Sequence, residues 1–194
     1  MVKKSTFSNT VAVFAALWAL PAFAGPIADK AAEIEALIAA EDTAGAALAA
    51  SDLYGQVWDA APEISFGNVV LVADTAGGYG IYNPRPDAKY KAGEPVILYA
   101  EPHGYGFGAP GEGLYSIGFD VDLKVLSEVG DVLGEIPNLA ALDLQSRVKN
   151  YEFQANLTYN LTGVAPGNYV LQTTFRDKNS DKTGTFDTTI EIVE

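Results

Sequence analysis

The residues best suited to ligand chemistry lie in one glycine-rich segment, Pro102–Gly113, with the sequence PHGYGFGAPGEG. Its five glycines permit close approach of the backbone to another molecule, and Tyr105 and Phe107 stand between them. Aromatic rings on a loop offer stacking faces for a sugar or a peptide, and binding residues favour loops on a rigid scaffold. We therefore predict four ligand-binding residues: His103, Tyr105, Phe107 and Tyr115. The alternative is that Tyr105 and Phe107 fold back and cap one end of the domain.

The acidic residues near this segment suggest one enzymatic alternative. Glu101 precedes His103, the only histidine of the chain, and Asp120 and Asp122 share one face of a candidate strand. A hydrolase of cell-envelope polymers would need these four groups to converge in one pocket. A catalytic triad needs a nucleophile beside the histidine, yet the chain has no cysteine and no Gly-x-Ser-x-Gly motif. We therefore favour a binding function and predict no cofactor.

One other group of side chains could hold a metal ion. Asp177, Asn179 and Asp181 alternate along the chain, as do the first ligands of a calcium loop. The match ends there, because Gly184 falls at position 8 instead of 6 and Thr188 occupies the place of the glutamate at position 12. Asp, Asn and Ser are also ordinary turn residues. We predict a hairpin turn, with calcium as the alternative.

The N-terminus has the three-part layout of a secretory signal. Lys3 and Lys4 precede an apolar run, Thr10–Leu20, and small residues lead to a cleavage site after Ala24. The run is shorter than the about 20 residues that a membrane-spanning helix needs. We predict a signal peptide over residues 1–24, no membrane span in the processed chain, and a periplasmic or secreted location.

Composition narrows the choice of compartment and partner. The absence of cysteine excludes disulfides and fits a bacterial periplasm. Removal of residues 1–24 leaves 10 basic and 25 acidic residues, a net charge of −15. Such a surface repels phosphate backbones, so we predict no nucleic-acid partner.

The remaining chain divides into a helical arm over residues 25–62 and a β domain over residues 63–194. Apolar residues of the arm recur at helical spacing, and Gly45 is the predicted break between two helices. From Ile64 onward the period changes to two. The predicted strands are Phe66–Ala73, Tyr79–Tyr82, Pro95–Glu101, Tyr115–Leu126, Val132–Glu135, Tyr151–Asn160, Asn168–Asp177 and Thr183–Val193. Many short strands without intervening helices predict a mainly β, antiparallel two-sheet sandwich.

Two motifs resemble immunoglobulin-like and fibronectin type III-like domains. The segment Leu161–Leu171 (LTGVAPGNYVL) is similar to the corner entering the penultimate strand, where a tyrosine hydroxyl bonds back to the corner backbone. Tyr169 would be that tyrosine. Lys91–Leu98 is similar to the entry into an early strand, and the resemblance covers Ala88–Glu194. It implies an immunoglobulin-like sandwich and no particular activity.

These observations favour an exported, non-catalytic binding module of the cell envelope. The expected partner is an envelope protein or a glycan, met through the glycine-aromatic segment or an exposed sheet edge. The alternatives are the hydrolase above and a structural accessory subunit of an envelope assembly. In the last case Ile27–Trp58 would be the docking element, and an exposed apolar helix face would favour it.

Overall fold

The computed structural model describes residues 25–194, so the predicted signal peptide lies outside the described residues. The described chain begins with two helices, α1 (Pro26–Ala39) and α2 (Thr43–Asp59), which pack as an antiparallel hairpin. We call residues 26–59 the helical hairpin. Within residues 25–194, no helix has the length and apolar content needed to cross a bilayer.

Capping chemistry sets the helix boundaries. Pro26 occupies the first turn of α1, where its missing N–H costs no hydrogen bond. The chain reverses through Glu41, whose φ of 59° lies in the left-handed region. Asp42 then caps α2, because its carboxylate accepts a hydrogen bond from the Gly45 N–H at 2.9 Å. The predicted break at Gly45 is therefore wrong: Gly45 lies inside the first turn of α2, and the break precedes it.

Nine strands follow in the described residues. They are β1 (Ser65–Leu71), β2 (Lys89–Lys91), β3 (Val96–His103), β4 (Gly108–Gly111), β5 (Leu114–Ser127), β6 (Val132–Ser146), β7 (Ala155–Tyr159), β8 (Gly167–Asp177) and β9 (Thr183–Val193). One sheet has the order β1-β3-β7. The other has the order β2-β9-β8-β5-β4, with β6 also paired to β5.

The strand order is that of an immunoglobulin-like sandwich. Strands β3 and β7 share one sheet, whereas β5, β8 and β9 share the other, as the B/E and C/F/G strands do in those domains. All neighbours are antiparallel except the short parallel pair β2 and β9. The predicted fold class, a mainly β two-sheet sandwich after a short helical arm, is confirmed.

The core lies between the two sheets, and the alternation along the strands fills it. Phe119 of β5 and Phe175 of β8 are fully buried, with ring centroids 5.4 Å apart. The hydroxyl of buried Tyr159 lies 2.8 Å from that of Thr173, so both polar groups are satisfied. Tyr169 donates a hydrogen bond to the Ala165 carbonyl at 2.8 Å. The predicted tyrosine corner is therefore confirmed.

The predicted strands and loops differ from the structure in several places. The strand predicted over Tyr151–Asn160 begins only at Ala155, as β7. Residues 72–84 form a covering loop over the outer face of the β1-β3-β7 sheet, so the strand predicted at Tyr79–Tyr82 is wrong. Strand β6 continues to Ser146, well beyond the predicted end at Glu135. The segment Pro102–Gly113 is not one loop, because it contains the end of β3 and the whole of β4.

Among residues 25–194, strand β6 pairs only with β5, and its other edge has no partner strand there. That edge is interrupted by Pro137 and by Asn138, whose φ is 52°. A register shift opposite Asp122 accompanies the interruption, and the Asn138 N–H donates to the Asp122 carboxylate at 2.8 Å. Proline and bulges protect free edges from pairing with other chains.

Candidate functional site

The glycine-aromatic segment is folded into the core. Tyr105 is completely buried, and its hydroxyl donates to the Asn150 carbonyl at 2.7 Å. Its ring meets Trp58 edge-on at 4.8 Å and Phe119 at 5.5 Å. Burial raises the pKa of the Tyr105 hydroxyl far above its ordinary value. The exposed stacking face predicted for Tyr105 is therefore wrong, and the capping alternative describes this residue.

Phe107 and Tyr115 lie nearer the surface and are both half-buried. The Phe107 ring packs edge-on against Tyr151 at 5.3 Å and against Tyr115 at 6.5 Å. The Lys149 ammonium lies 5.3 Å from the centre of the Phe107 ring, which is within the range of a cation–π contact. Phe107 is thus already in contact with neighbouring side chains, while Tyr115 borders an open cleft.

Trp58 joins the helical hairpin to the sandwich. It is 5% exposed, and its indole N–H donates to the Tyr105 carbonyl at 2.8 Å. Its ring also packs against Tyr151 at 4.9 Å and His103 at 5.7 Å. Tyr54, one turn earlier, also meets Tyr151 edge-on at 5.0 Å, so α2 contacts the sandwich through its last two turns.

A cleft of about 510 Å³ separates α2 from the segment that follows β6. It is lined by one side of the helix and by residues across from it: Leu48, Ser51, Asp52, Gly55, Gln56, Asp59, Tyr115, Arg147, Val148, Lys149 and Tyr151. Gly55 is required at this point, because a Cβ there would lie 2.9 Å from the Tyr151 hydroxyl oxygen. Leu48 is 74% exposed and Val148 is 67% exposed, so apolar surface stands at the rims of the cleft.

The two walls of the cleft carry opposite charges. Asp52 and Asp59 project from α2, whereas Arg147 and Lys149 stand across from them. The Lys149 ammonium lies 3.6 Å from the Asp59 carboxylate, which ties the walls together at one end. Burial raises the pKa of Tyr151, so its hydroxyl stays protonated at neutral pH and can donate a hydrogen bond. The cleft can therefore hold a chain that carries apolar and charged groups of both signs.

His103 and Glu101 lie elsewhere, on the outer face of the β1-β3-β7 sheet beneath the covering loop. Glu101 is 4% exposed and accepts hydrogen bonds from Tyr99 at 2.6 Å and from Asn68 at 2.7 Å. The His103 Nε2 atom lies 3.3 Å from the Tyr79 hydroxyl of the covering loop. Burial and the contact with Glu101 raise the pKa of Tyr99 to about 12. Because these side chains bond to one another, we assign them to holding the loop on the sheet.

The four groups of the hydrolase alternative do not converge. Val96, Leu98 and Ala100 fill the core from β3, so Glu101 and His103 point away from it. Asp120 and Asp122 point outward from the opposite sheet, where Arg176 lies 3.8 Å and 2.8 Å from their carboxylates. Because packed sheets lie about 10 Å apart, no reacting atom can touch both pairs.

The Asp122–Arg176 pair predicts a specific loss of acid stability. Hydrogen bonds from Arg176 hold the pKa of Asp122 below its usual range. A lowered folded pKa contributes stability that is present above the unfolded value of about 4 and lost as pH falls through the folded one. We expect Asp122→Asn to cost about 1 kcal/mol at pH 7, and the difference from wild type to shrink below pH 4 or so. Urea unfolding across that range measures it, with exposed Asp131→Asn as a neutral control; a difference that grew on acidification would contradict the assignment.

The calcium candidates serve the fold instead. Asp177 is buried, and its carboxylate accepts hydrogen bonds from the Gly106 N–H at 2.6 Å and the Asn179 N–H at 2.9 Å. The Asn179 amide donates to the Ser116 carbonyl at 3.1 Å, and Asp181 is exposed. Within residues 25–194 no three acidic or histidine side chains are grouped as a metal site would need. The β8–β9 hairpin predicted here is confirmed.

Sequence reasoning missed most of the cleft. Of the predicted ligand-binding residues, only Tyr115 lines it. The sequence pattern places Tyr151 in a strand and predicts no role for the charged segment Arg147–Lys149. A tryptophan at the end of an amphipathic helix was the available signal, because such a ring needs a large partner surface to be buried.

Comparisons with known proteins add little. No family model matches the chain, and no curated protein matches it. Among solved structures, the chain is similar to the CARDB domain of a Pyrococcus furiosus protein, determined in complex with di-metal ions. The two are 12% identical, and the match covers 70% of this chain and 96% of that chain with a TM-score of 0.30. A likeness of this strength assigns no ligand, metal or partner to the chain.

Proposed function

We propose that this chain is an exported, non-catalytic binding module of the cell envelope, and that it holds a partner protein in the cleft between α2 and residues 147–151. One observation carries the proposal. The cleft is lined by Tyr115 and Tyr151, carries the exposed apolar residues Leu48 and Val148, and has walls of opposite charge. Apolar anchors surrounded by charged groups are typical of protein interfaces.

A polypeptide suits this cleft better than a glycan. Sugar recognition by stacking needs open aromatic faces. Tyr105 offers none, and the Phe107 ring is already in contact with Tyr151 and Lys149. Exposed Leu48 and Val148 would instead remain in contact with water unless an apolar side chain covers them.

Export rests on the layout of residues 1–24 and on the absence of cysteine. Processing after Ala24 would leave Gly25 as the first residue, directly before α1. The location in the periplasm or outside the cell belongs to the same proposal. Mass spectrometry of the protein from an extracytoplasmic fraction checks both, since it reads the first residue of the processed chain.

The function is tested by crosslinking from inside the cleft. Gln56 is exposed and lines the cleft, so a photo-reactive amino acid at this position would touch whatever lies there. In the organism that makes the protein, we expect a discrete protein adduct from position 56. The control is the same residue at Val129, which is 85% exposed in the β5–β6 turn. Val148→Asp should reduce the adduct about tenfold, because a charge replaces an apolar rim residue.

Two outcomes would count against the proposal. Equal adducts from positions 56 and 129 would indicate random collisions. An adduct degraded by glycosidases and not by proteases would identify a glycan instead of a protein. The structural-subunit alternative also has an observation in its favour, the exposed apolar side chains on both helices. The structural-subunit alternative requires that the partner found in the adduct copurify with this chain as a stable complex of fixed stoichiometry.

A further inference from the structure

The helical hairpin has a second lateral face, opposite the side that lines the cleft. At about 100° per residue, six apolar side chains fall on this side of the two helices. They are Ile27, Ala31, Ile38, Ala50, Leu53 and Val57. We call this set the apolar hairpin face. Ile27, Ile38 and Val57 are each about half exposed, so nothing in the described chain covers them.

The two lateral faces differ in charge. The cleft side presents Lys30, Glu33 and Asp52 along a shallow groove beside Leu48. On the apolar hairpin face, Glu35 lies at the edge and the centre has no charged residue. The helical hairpin as a whole contains seven acidic residues and one lysine, a net charge of −6, so this uncharged side is the exception.

We infer that the apolar hairpin face pairs with the same face of a second copy of this chain, giving a four-helix bundle about a two-fold axis. A pair of helices buries only the surface where the two helices touch. Two such hairpins packed together can also bury one lateral face of each pair. An isologous contact needs a surface that matches itself, and an apolar face without charges does so. Ala31 and Ala50 near its centre allow close approach, while Ile27, Ile38 and Val57 surround them.

Charge selects the face used for such pairing. Copies with a net charge of −15 after processing repel each other, and repulsion is least where no acid faces another acid. The opposite pole of the domain also exposes an apolar residue, Val129, but Glu128 and Asp131 flank it. A contact between that pole of one copy and the helical hairpin of another would therefore bring Glu128 and Asp131 close to the acidic residues of the hairpin.

The size of the face sets the strength of pairing. Helices of 14 and 17 residues, lying side by side, offer a surface of about 20 by 20 Å. Pairing would bury roughly 800–1,000 Å² in total, below the about 1,200 Å² at which specific stable interfaces begin, which predicts a weak dimer. We expect dissociation constants in about the micromolar range or weaker. Added salt should strengthen the dimer, since it screens the repulsion between copies.

Sedimentation equilibrium on the processed chain tests the inference. We expect wild type to dimerise with rising concentration, and Ile38→Asp or Val57→Asp to raise the dissociation constant at least about tenfold. Leu48→Asp is the matched control, because Leu48 is also apolar and is even more exposed, at 74%, but faces the cleft side. The Trp58 fluorescence of each variant verifies that the hairpin remains docked.

A single-cysteine experiment gives an independent readout, since the native chain has no cysteine. Under mild oxidation, Ala50→Cys should form a disulfide-linked dimer and Leu48→Cys should not. A wild type that stays monomeric at the highest concentration and salt overturns the inference. So does equal disruption by Leu48→Asp, or equal crosslinking from positions 48 and 50. These outcomes test the apolar hairpin face, whereas the adduct from position 56 tests partner binding in the cleft.

Discussion

Replacing Trp58 with alanine is expected to lower the free energy of unfolding by about 3–5 kcal/mol, because it removes a large buried side chain. Trp58 contacts three rings from two segments of the sandwich: His103 and Tyr105 from one, and Tyr151 from the other. The cavity would open where the helical hairpin meets the domain. We therefore also expect proteases to cut the helical hairpin of this variant far sooner than that of wild type.

Trp58→Phe separates packing from hydrogen bonding. Phenylalanine keeps most of the ring contacts but leaves the Tyr105 carbonyl without its donor, a loss of about 1–2 kcal/mol. Urea unfolding followed by circular dichroism measures both variants, since Trp58 is the only tryptophan of residues 25–194. If the alanine variant lost no more than the phenylalanine one, the helical hairpin would not be held by this ring.

Replacing Gly184 with valine is expected to cost about 3 kcal/mol or more, because the chain linking α2 to β1 crosses β9 at this residue. A Cβ on Gly184 would lie 2.8 Å from the Ile64 Cβ atom and still closer to the Ile64 carbonyl oxygen. The Ile64 N–H also donates to the Thr183 carbonyl at 3.0 Å, so the segment cannot move away without losing that bond. Overpacking against backbone forces a shift of the main chain.

Gly184→Ala should show the same effect at about 1–3 kcal/mol. The matched control is Gly134→Ala in β6, where a Cβ would meet nothing within 4 Å. Thermal or urea unfolding of the variants gives the comparison. Equal stabilities of the two alanine variants would mean that the contact between Ile64 and β9 is loose in solution.

Much of the sandwich could be predicted because strand alternation depends on local sequence. Inward Phe119 and Val121 alternate with outward Asp120 and Asp122, and the structure follows that parity. Tyr169 could be placed at its corner because the preceding Pro-Gly turn fixes the local backbone.

The site depends on contacts between distant parts of the chain, which local patterns do not encode. Tyr105 in a glycine-rich segment satisfies the pattern of an exposed loop. Its burial comes from Trp58 and Asn150, both more than 40 residues away. Glu101 has the parity of an outward residue, and its burial depends on Tyr99 beside it in β3 and on the covering loop above, which contacts His103 through Tyr79.

The helical hairpin was predictable as helices but not in its turn. Glycine is a common helix breaker, so Gly45 was the natural choice. The structure uses Asp42 as a cap, and a Cβ at Gly45 would require the Asp42 carboxylate to shift. Side-chain capping decided the boundary here, and backbone propensity did not.

The interrupted edge of β6 has a consequence for behaviour at high concentration. Pro137 and the bend at Asn138 divide the strand into stretches of five and eight residues, 132–136 and 139–146. Neither stretch offers another chain the long, flat, unpaired strand edge on which fibrils grow. A concentrated solution of this protein should therefore remain free of ordered aggregates, provided that the Asp122–Arg176 ion pair next to the bend remains intact.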